Sequence, residues 1–149
     1  MQTERWSQYI TVFLRLALGT TFLAAVTDRF GLWGGPGGLN VSWGDFGHFL
    51  QYTAQVNAFL PHTLIPPVAW LATILETLLG ISLIVGLQTR LAALASGVLL
   101  LLFALAMTVS MGVKAPLNYS VFSASAGAFL LAQSPLYPWT LDARLQREL

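Results

Sequence analysis

Two charged side chains lie deep inside long apolar stretches of this sequence and could carry chemistry there. Glu76 is the only charged residue within 63–89, and Arg15 is the only one within 6–27. Roughly 20 helical residues at about 1.5 Å each cross a hydrocarbon core of about 30 Å, so Glu76 is predicted to lie near the middle of a bilayer. An ionised carboxylate there is costly unless it is paired, hydrated or protonated. Glu76 is therefore a candidate functional residue.

The depths expected for Arg15 and Glu76 are similar, which predicts a charge-assisted pair between them inside a helix bundle. The functional interpretation is that the pair lines a polar pocket, where it binds a quinone and handles its proton. Two structural alternatives stay open. The pair could serve only to fix helix packing, or Arg15 could reach the lipid headgroups while Glu76 is protonated.

The composition is that of a polytopic membrane protein. Only 9% of the residues are charged, 56% are hydrophobic, and the mean hydropathy is +0.69. A net charge of +1 provides no basic face, so no nucleic-acid partner is expected. Without any cysteine the chain itself carries no disulfide, dithiol pair, iron–sulfur cluster or thiol-attached haem. Any redox chemistry must then belong to a bound cofactor, a substrate or a protein partner.

The apolar stretches and their breaks predict an all-α membrane protein, a four-helix transmembrane bundle with one extra interfacial amphipathic helix between the first and second spans. Ser42 and Asp45 resemble a capping box at the start of this extra helix, and Asn118 is a plausible N-cap of the fourth span. The whole chain, 1–149, is predicted to be one domain. The spanning helices are expected at about 7–30, 66–86, 90–111 and 118–132, and the interfacial helix at about 42–60.

The positive charges predict the orientation in the membrane. The end of the bundle that holds both termini has more Lys and Arg residues than the other, which places both termini in the cytoplasm of a multi-pass inner-membrane protein. The residues counted are Arg5, Arg90, Arg144 and Arg147 at that end, against Arg29 and Lys114 at the other. Arg29 and Lys114 are expected to anchor to lipid phosphates. A site over the outer mouth of the bundle, formed by Asp28, Arg29 and Lys114, is the alternative.

The histidines and tryptophans give weaker signals. His48 and His62 both lie outside the predicted spans, so neither haem nor a metal ion is expected. The five tryptophans fall near predicted helix ends and are typical of an interfacial aromatic belt. A quinone ring could alternatively stack on Trp33 or Trp43.

Three stretches resemble the DoxX/DoxD family of small four-helix membrane proteins. They are Arg15-Leu-Ala-Leu-Gly19-Thr-Thr-Phe22, then Glu76-Thr-Leu-Leu-Gly80 with Gly86-Leu-Gln-Thr-Arg90-Leu-Ala-Ala93, and Trp139-Thr-Leu-Asp142-Ala-Arg144-Leu. This resemblance implies the membrane part of a redox complex such as thiosulfate:quinone oxidoreductase, while distant relatives act as assembly chaperones. The chain departs from the family pattern at 26–29, where the family often has His or Gly and a Lys.

Two functions from different classes follow. The first is an integral membrane subunit of a quinone-linked redox system, with a quinone near Arg15 and Glu76 and with electrons delivered by a redox partner subunit. The second is a non-enzymatic membrane scaffold or assembly factor, whose charges fix packing and whose interfacial helix docks a protein. A homo-oligomer is an alternative to a different partner. A transporter is less favoured, because no interrupted pair of helices is visible in the sequence.

Overall fold

The computed structural model describes residues 2–135 and 137–145, and every regular element within them is a helix. A 3₁₀ turn at His62–Leu64 leads directly into the third helix. The helices are, in chain order, α1 (Gln2–Asp28), α2 (Phe46–Val56), α3 (Ile65–Val85), α4 (Thr89–Met111), α5 (Lys114–Asn118), α6 (Val121–Ala132) and α7 (Leu141–Leu145).

Three of these helices are long and apolar enough to cross a membrane, as the sequence predicted for its first three spans. They are the segments Trp6–Asp28, His62–Val85 and Thr89–Met111. The short link 86–88 makes α3 and α4 an antiparallel hairpin, and the start of α1 lies at the same end as the C-terminal segment, where Tyr9 contacts Trp139. The chain is thus a helical multi-pass membrane protein.

The fourth predicted span, 118–132, is not one continuous helix. Pro116 lies in the first turn of α5, where proline costs no hydrogen bond, so helix begins before the expected N-cap Asn118. The chain then changes direction at Ser120, whose φ of 54° is left-handed. The following α6 has 12 residues and rises about 18 Å, less than the hydrocarbon thickness of about 30 Å. A four-span count is therefore not confirmed.

The helix predicted at 42–60 is shorter than expected. Asp45, rather than Ser42, is its N-cap, since an Asp45 carboxylate oxygen accepts a 2.8 Å hydrogen bond from the His48 amide. The helix ends at Val56 and packs across one end of α3 and α4. We call residues 42–56 the roof, because this segment covers the end of the bundle opposite the termini.

Small residues bring the spanning helices close together. In the α1–α3 contact Gly19 faces Gly80, and in the α4–α6 contact the Phe129 ring lies over Gly97. The Ser125 hydroxyl also donates a 2.8 Å hydrogen bond to the Gly97 carbonyl. Between these helix pairs lies the apolar core, which is formed by Leu18, Phe22, Leu83, Ala92, Ala93, Leu99, Ala128, Leu131 and Ala132. The α1–α3 pair carries the charged site described next.

Candidate functional site

The carboxylate of Glu76 forms an ion pair with Arg29, the residue that follows α1. Arg29 Nη2 donates to Glu76 Oε2 at 2.6 Å, and Arg29 Nη1 donates to Thr73 Oγ1 at 2.8 Å. Thr73 and Glu76 lie one turn apart on α3, so both face the same guanidinium. Both charged side chains are only 3% exposed. The pair is thus a buried, charge-assisted contact that ties the end of α1 to the middle of α3.

The roof closes over this pair. The Arg29 guanidinium carbon lies 3.8 Å from the centroid of the Phe49 ring and 5.4 Å from that of Trp43, which are cation–π distances. Asp28 holds the start of the roof, because its Oδ2 accepts hydrogen bonds of 3.0 Å from the amides of Ser42 and Trp43. Two adjacent residues at the end of α1, Asp28 and Arg29, therefore both bind the roof.

The predicted pair of Arg15 with Glu76 is wrong. Glu76 is paired with Arg29, while Arg15 donates from Nη2 to the Trp139 carbonyl at 3.0 Å and from Nη1 to the Pro138 carbonyl at 3.4 Å. The expectation that Arg29 anchors to lipid phosphates is also wrong, because its side chain turns into the bundle and is buried. Lys114 is exposed, as lipid anchoring requires.

Arg15 instead belongs to a second polar cluster, at the end of the bundle that holds the termini. There the carbonyls of Pro138 and Trp139 accept its hydrogen bonds, and Thr140 packs against Gly86. Gly86 ends α3 with a left-handed φ of 76°, and a Cβ on it would lie 2.5 Å from Thr140 Cβ. We call residues 137–143 the latch, because they fasten the chain's C-terminal part to α1 and to the α3–α4 turn.

Asp142 is the main contact of the latch with α4. Its Oδ1 accepts a hydrogen bond from the Gln88 amide at 2.8 Å, and its Oδ2 accepts from the amide and hydroxyl of Thr89 at 2.8 and 2.9 Å. The carboxylate therefore accepts hydrogen bonds from two backbone amides at the N-terminus of α4, where amides have no partner within the helix. Burial by itself would raise the pKa of Asp142, but the hydrogen bonds from Thr89 and Gln88, helped by the charge of Arg15, lower it below its ordinary value.

We expect the stabilisation from Asp142 to depend on pH. The folded-state pKa lies below the ordinary value of 3.8, so this stabilisation is fully present above the unfolded pKa and is lost as pH falls through the folded pKa. Replacing Asp142 by Asn should therefore cost about 1 kcal/mol at pH 7, the usual worth of a helix cap, and less as pH falls below about 4. Thermal unfolding of both proteins in detergent from pH 7 to pH 2 measures this. If the difference in stability between the two proteins stays constant down to pH 2, the stabilising role assigned to the Asp142 carboxylate is wrong.

Aromatic side chains surround the roof. The Phe46 ring lies 4.5 Å from the Trp70 ring and 5.9 Å from the Phe30 ring, centroid to centroid, and Phe30 and Trp70 are each about half exposed. We call Phe30, Phe46 and Trp70 the aromatic shelf. Trp43 packs edge-on against the Phe49 ring inside the roof, and the Trp33 indole N–H donates to the Thr27 hydroxyl at 2.9 Å.

The histidines lie apart from the ion pair. His48 contacts the Asp45 carboxylate at 2.9 Å on the roof's exposed side, and His62 is exposed in the turn before α3. Among the side chains that the structure describes, those of residues 6–135 and 137–143, no group of three or more His, Cys, Asp or Glu residues lies together in a way that could hold a metal ion.

The sequence reasoning identified Glu76 but missed its partner. The available signal was Arg29 itself, since an Arg at the end of a spanning helix can reach several ångströms back along the bundle as easily as outward. It also missed that Thr73, one turn before Glu76, would share the same guanidinium.

Comparison with known families gives one match. The family model described as methylamine utilisation protein MauE matches residues 7–118, about three quarters of the chain. No curated protein and no solved structure matches.

This match overturns the resemblance to the DoxX/DoxD family. The stretches behind that resemblance contain Gly19, Gly80, Gly86 and Asp142, which serve close helix packing and the latch. Close packing and end-capping are general needs of helical membrane bundles, so short motifs of this kind do not distinguish one such family from another. Because this family model matches about three quarters of the chain, the chain belongs to the MauE family, described as methylamine utilisation protein MauE.

Proposed function

We propose that this protein is a non-enzymatic membrane scaffold or assembly component of a methylamine-utilisation system. The observation that carries the proposal is that other residues of the protein enclose the Arg29–Glu76 pair. Both terminal nitrogens of Arg29 have partners, Phe49 covers the guanidinium, and both charged side chains are 3% exposed. A group that must exchange protons or contact a substrate needs an approach from outside, whereas a packing element does not.

Three other charged residues support the same role. Asp28 holds the roof, Arg15 holds the latch, and Asp142 caps α4. Each therefore joins two segments that are distant in the sequence. With no cysteine in the chain, this protein brings no thiol chemistry of its own, and it would act by presenting a rigid surface to a protein partner or to a second copy.

A quinone-linked redox subunit is the second candidate. The aromatic shelf supports it, since half-exposed rings beside a buried charged pair offer a stacking surface for a planar head group at membrane depth. On this alternative the head group would stack near Glu76 at the roof end. It would not lie between Arg15 and Glu76, which are bound to different partners.

We expect cells that depend on this protein to lose growth on methylamine when its gene is deleted and to keep growth on an unrelated nitrogen source. If growth on methylamine is unaffected by the deletion, a role in methylamine utilisation is wrong.

Purified protein should contain far less than one extractable quinone per chain, because a scaffold does not need a bound quinone. Stoichiometric quinone, lost on replacing Trp70 by Ala but kept on replacing Trp33 by Ala, would support the redox candidate instead.

A further inference from the structure

A cleft lined by both polar and apolar groups opens at the end of the bundle that holds the latch. Its volume is about 1070 Å³, and its walls are formed by Gln8 near the start of α1, by the turn before α4 and the first turn of α4 (88–91), and by residues 133–135, 137, 138, 140, 142 and 143. Because α4 is a membrane-spanning helix, its first turn lies near one boundary of the membrane. Exposed aromatic rings at the same end, Trp6 and Trp139, are typical of that boundary. The cleft therefore lies at the depth of lipid headgroups.

The cleft presents an exposed cation, Arg90, whose charge acts on the neighbouring Tyr137 but is not neutralised by an ion pair with any described side chain. Among the described side chains, those of residues 6–135 and 137–143, Arg90 has neither an ion-pair nor a hydrogen-bond partner, and neither do the side-chain amides of Gln88 and Gln133. The carboxylate in the cleft, Asp142, already accepts three hydrogen bonds and is committed to the α4 N-terminus. The free donors of the cleft are thus suited to an anion with several acceptor oxygens.

An apolar track leaves the cleft along α4. Leu91 forms part of the cleft wall and is 60% exposed. The exposed side chains that continue from it occur every three or four residues, so they form one stripe along the outside of the helix. They are Leu94, Val98, Leu102, Leu105 and Val109. A molecule with an anionic head in the cleft could lay a hydrocarbon chain along this stripe.

We infer that the cleft is a binding site for an anionic phospholipid, with the phosphate held by Arg90 and the neighbouring amides and an acyl chain lying on the α4 stripe. This goes beyond the proposed function and does not depend on it. The position of Arg90 and the neighbouring amides beside an apolar track favours a phospholipid over a soluble phosphate compound, which would make no contact with the track.

The test compares lipid retention in native mass spectrometry. Purified protein is mixed with equal amounts of phosphatidylglycerol and phosphatidylcholine that have the same acyl chains. We expect phosphatidylglycerol to be retained about fivefold more, the effect of one arginine near an anionic lipid. The preference should disappear in Arg90→Gln. It should persist in Lys114→Gln, the matched control, which removes one exposed cation at the other end of the bundle.

Equal retention of the two lipids by the unaltered protein would overturn the site without recourse to any variant. If the preference for phosphatidylglycerol survives in Arg90→Gln, or disappears equally in Lys114→Gln, the preference is due to the general charge of the protein and not to this cleft. Inorganic phosphate should leave the thermal unfolding temperature unchanged at concentrations where phosphatidylglycerol raises it. An equal rise with phosphate alone would make the cleft a phosphate site and contradict the lipid assignment.

Discussion

Replacing Glu76 by Met, or Arg29 by Met, should each destabilise the detergent-solubilised protein by about 3–5 kcal/mol. Either change leaves the remaining charge buried at 3% exposure with no opposite charge in contact. Replacing both residues by Met removes both charges and fills a similar volume, so the double variant should be much closer to the unaltered protein than either single variant. Thermal or denaturant unfolding in one detergent measures all four proteins.

A second double-mutant cycle tests the choice of partner. Arg15 binds the carbonyls of Pro138 and Trp139, so Arg15→Gln and Glu76→Gln should destabilise the protein additively, within about 0.5 kcal/mol. Additive effects for Arg29 and Glu76, together with strong coupling between Arg15 and Glu76, would reverse the assignment made from the structure. Lys114→Gln, which removes an exposed charge, should change stability little and serves as the control.

Replacing Gly80 by Leu should destabilise the bundle by about 3 kcal/mol or more, the upper range for overpacking a tight contact. Even a Cβ at Gly80 would lie 2.9 Å from Leu23 Cδ2 and 3.1 Å from the Gly19 carbonyl oxygen, a backbone atom that cannot move without shifting α1. The larger side chain would push α1 away from α3 and so strain the Arg29–Glu76 contact. Unfolding in detergent and the amount of folded protein in membranes report the effect.

A smaller change at the same position, Gly80→Ala, can be compared with Gly127→Ala as its matched control. Both glycines lie inside helices, and both alanines would gain about 1 kcal/mol of helix propensity. A Cβ at Gly127 would meet only the end of the Leu14 side chain, at 3.3 Å, which can rotate away. Gly127→Ala should therefore be neutral or stabilising and Gly80→Ala destabilising. Equal effects would mean that the α1–α3 contact is looser than described.

The parts of the fold that follow from local rules could be predicted from the sequence. The first three predicted helices agree with α1, α3 and α4 to within a few residues, except that α1 starts five residues earlier, because the length of an apolar run and the breaks at glycine and proline decide where such helices lie. The break at Ser120 was not predicted, since a left-handed serine depends on how α5 packs on α4 and α6. The roof was predicted as an amphipathic helix, but its function as a cover over Arg29 depends on contacts between distant segments.

The candidate site shows the same division. The cost of a buried carboxylate identified Glu76 as a residue that needs a partner, and that requirement is general. Which cation pairs with Glu76 depends on the reach of that cation's side chain and on the offset between two helices. Neither of these can be read from the sequence. Arg15 lies at a plausible depth, yet carbonyl groups of the latch, more than 120 residues away in the chain, bind it instead.

The central claim is that the buried charges of this protein hold it together and do not take part in a reaction. The most direct test is methylamine-dependent growth of cells that carry only the Arg29→Met, Glu76→Met double variant, compared at equal amounts of folded protein in the membrane. Our account predicts growth equal to that of the unaltered protein, because the packing is restored without the charges. A double variant that is folded and abundant in the membrane but does not support growth would contradict it, and would assign a chemical role to the pair.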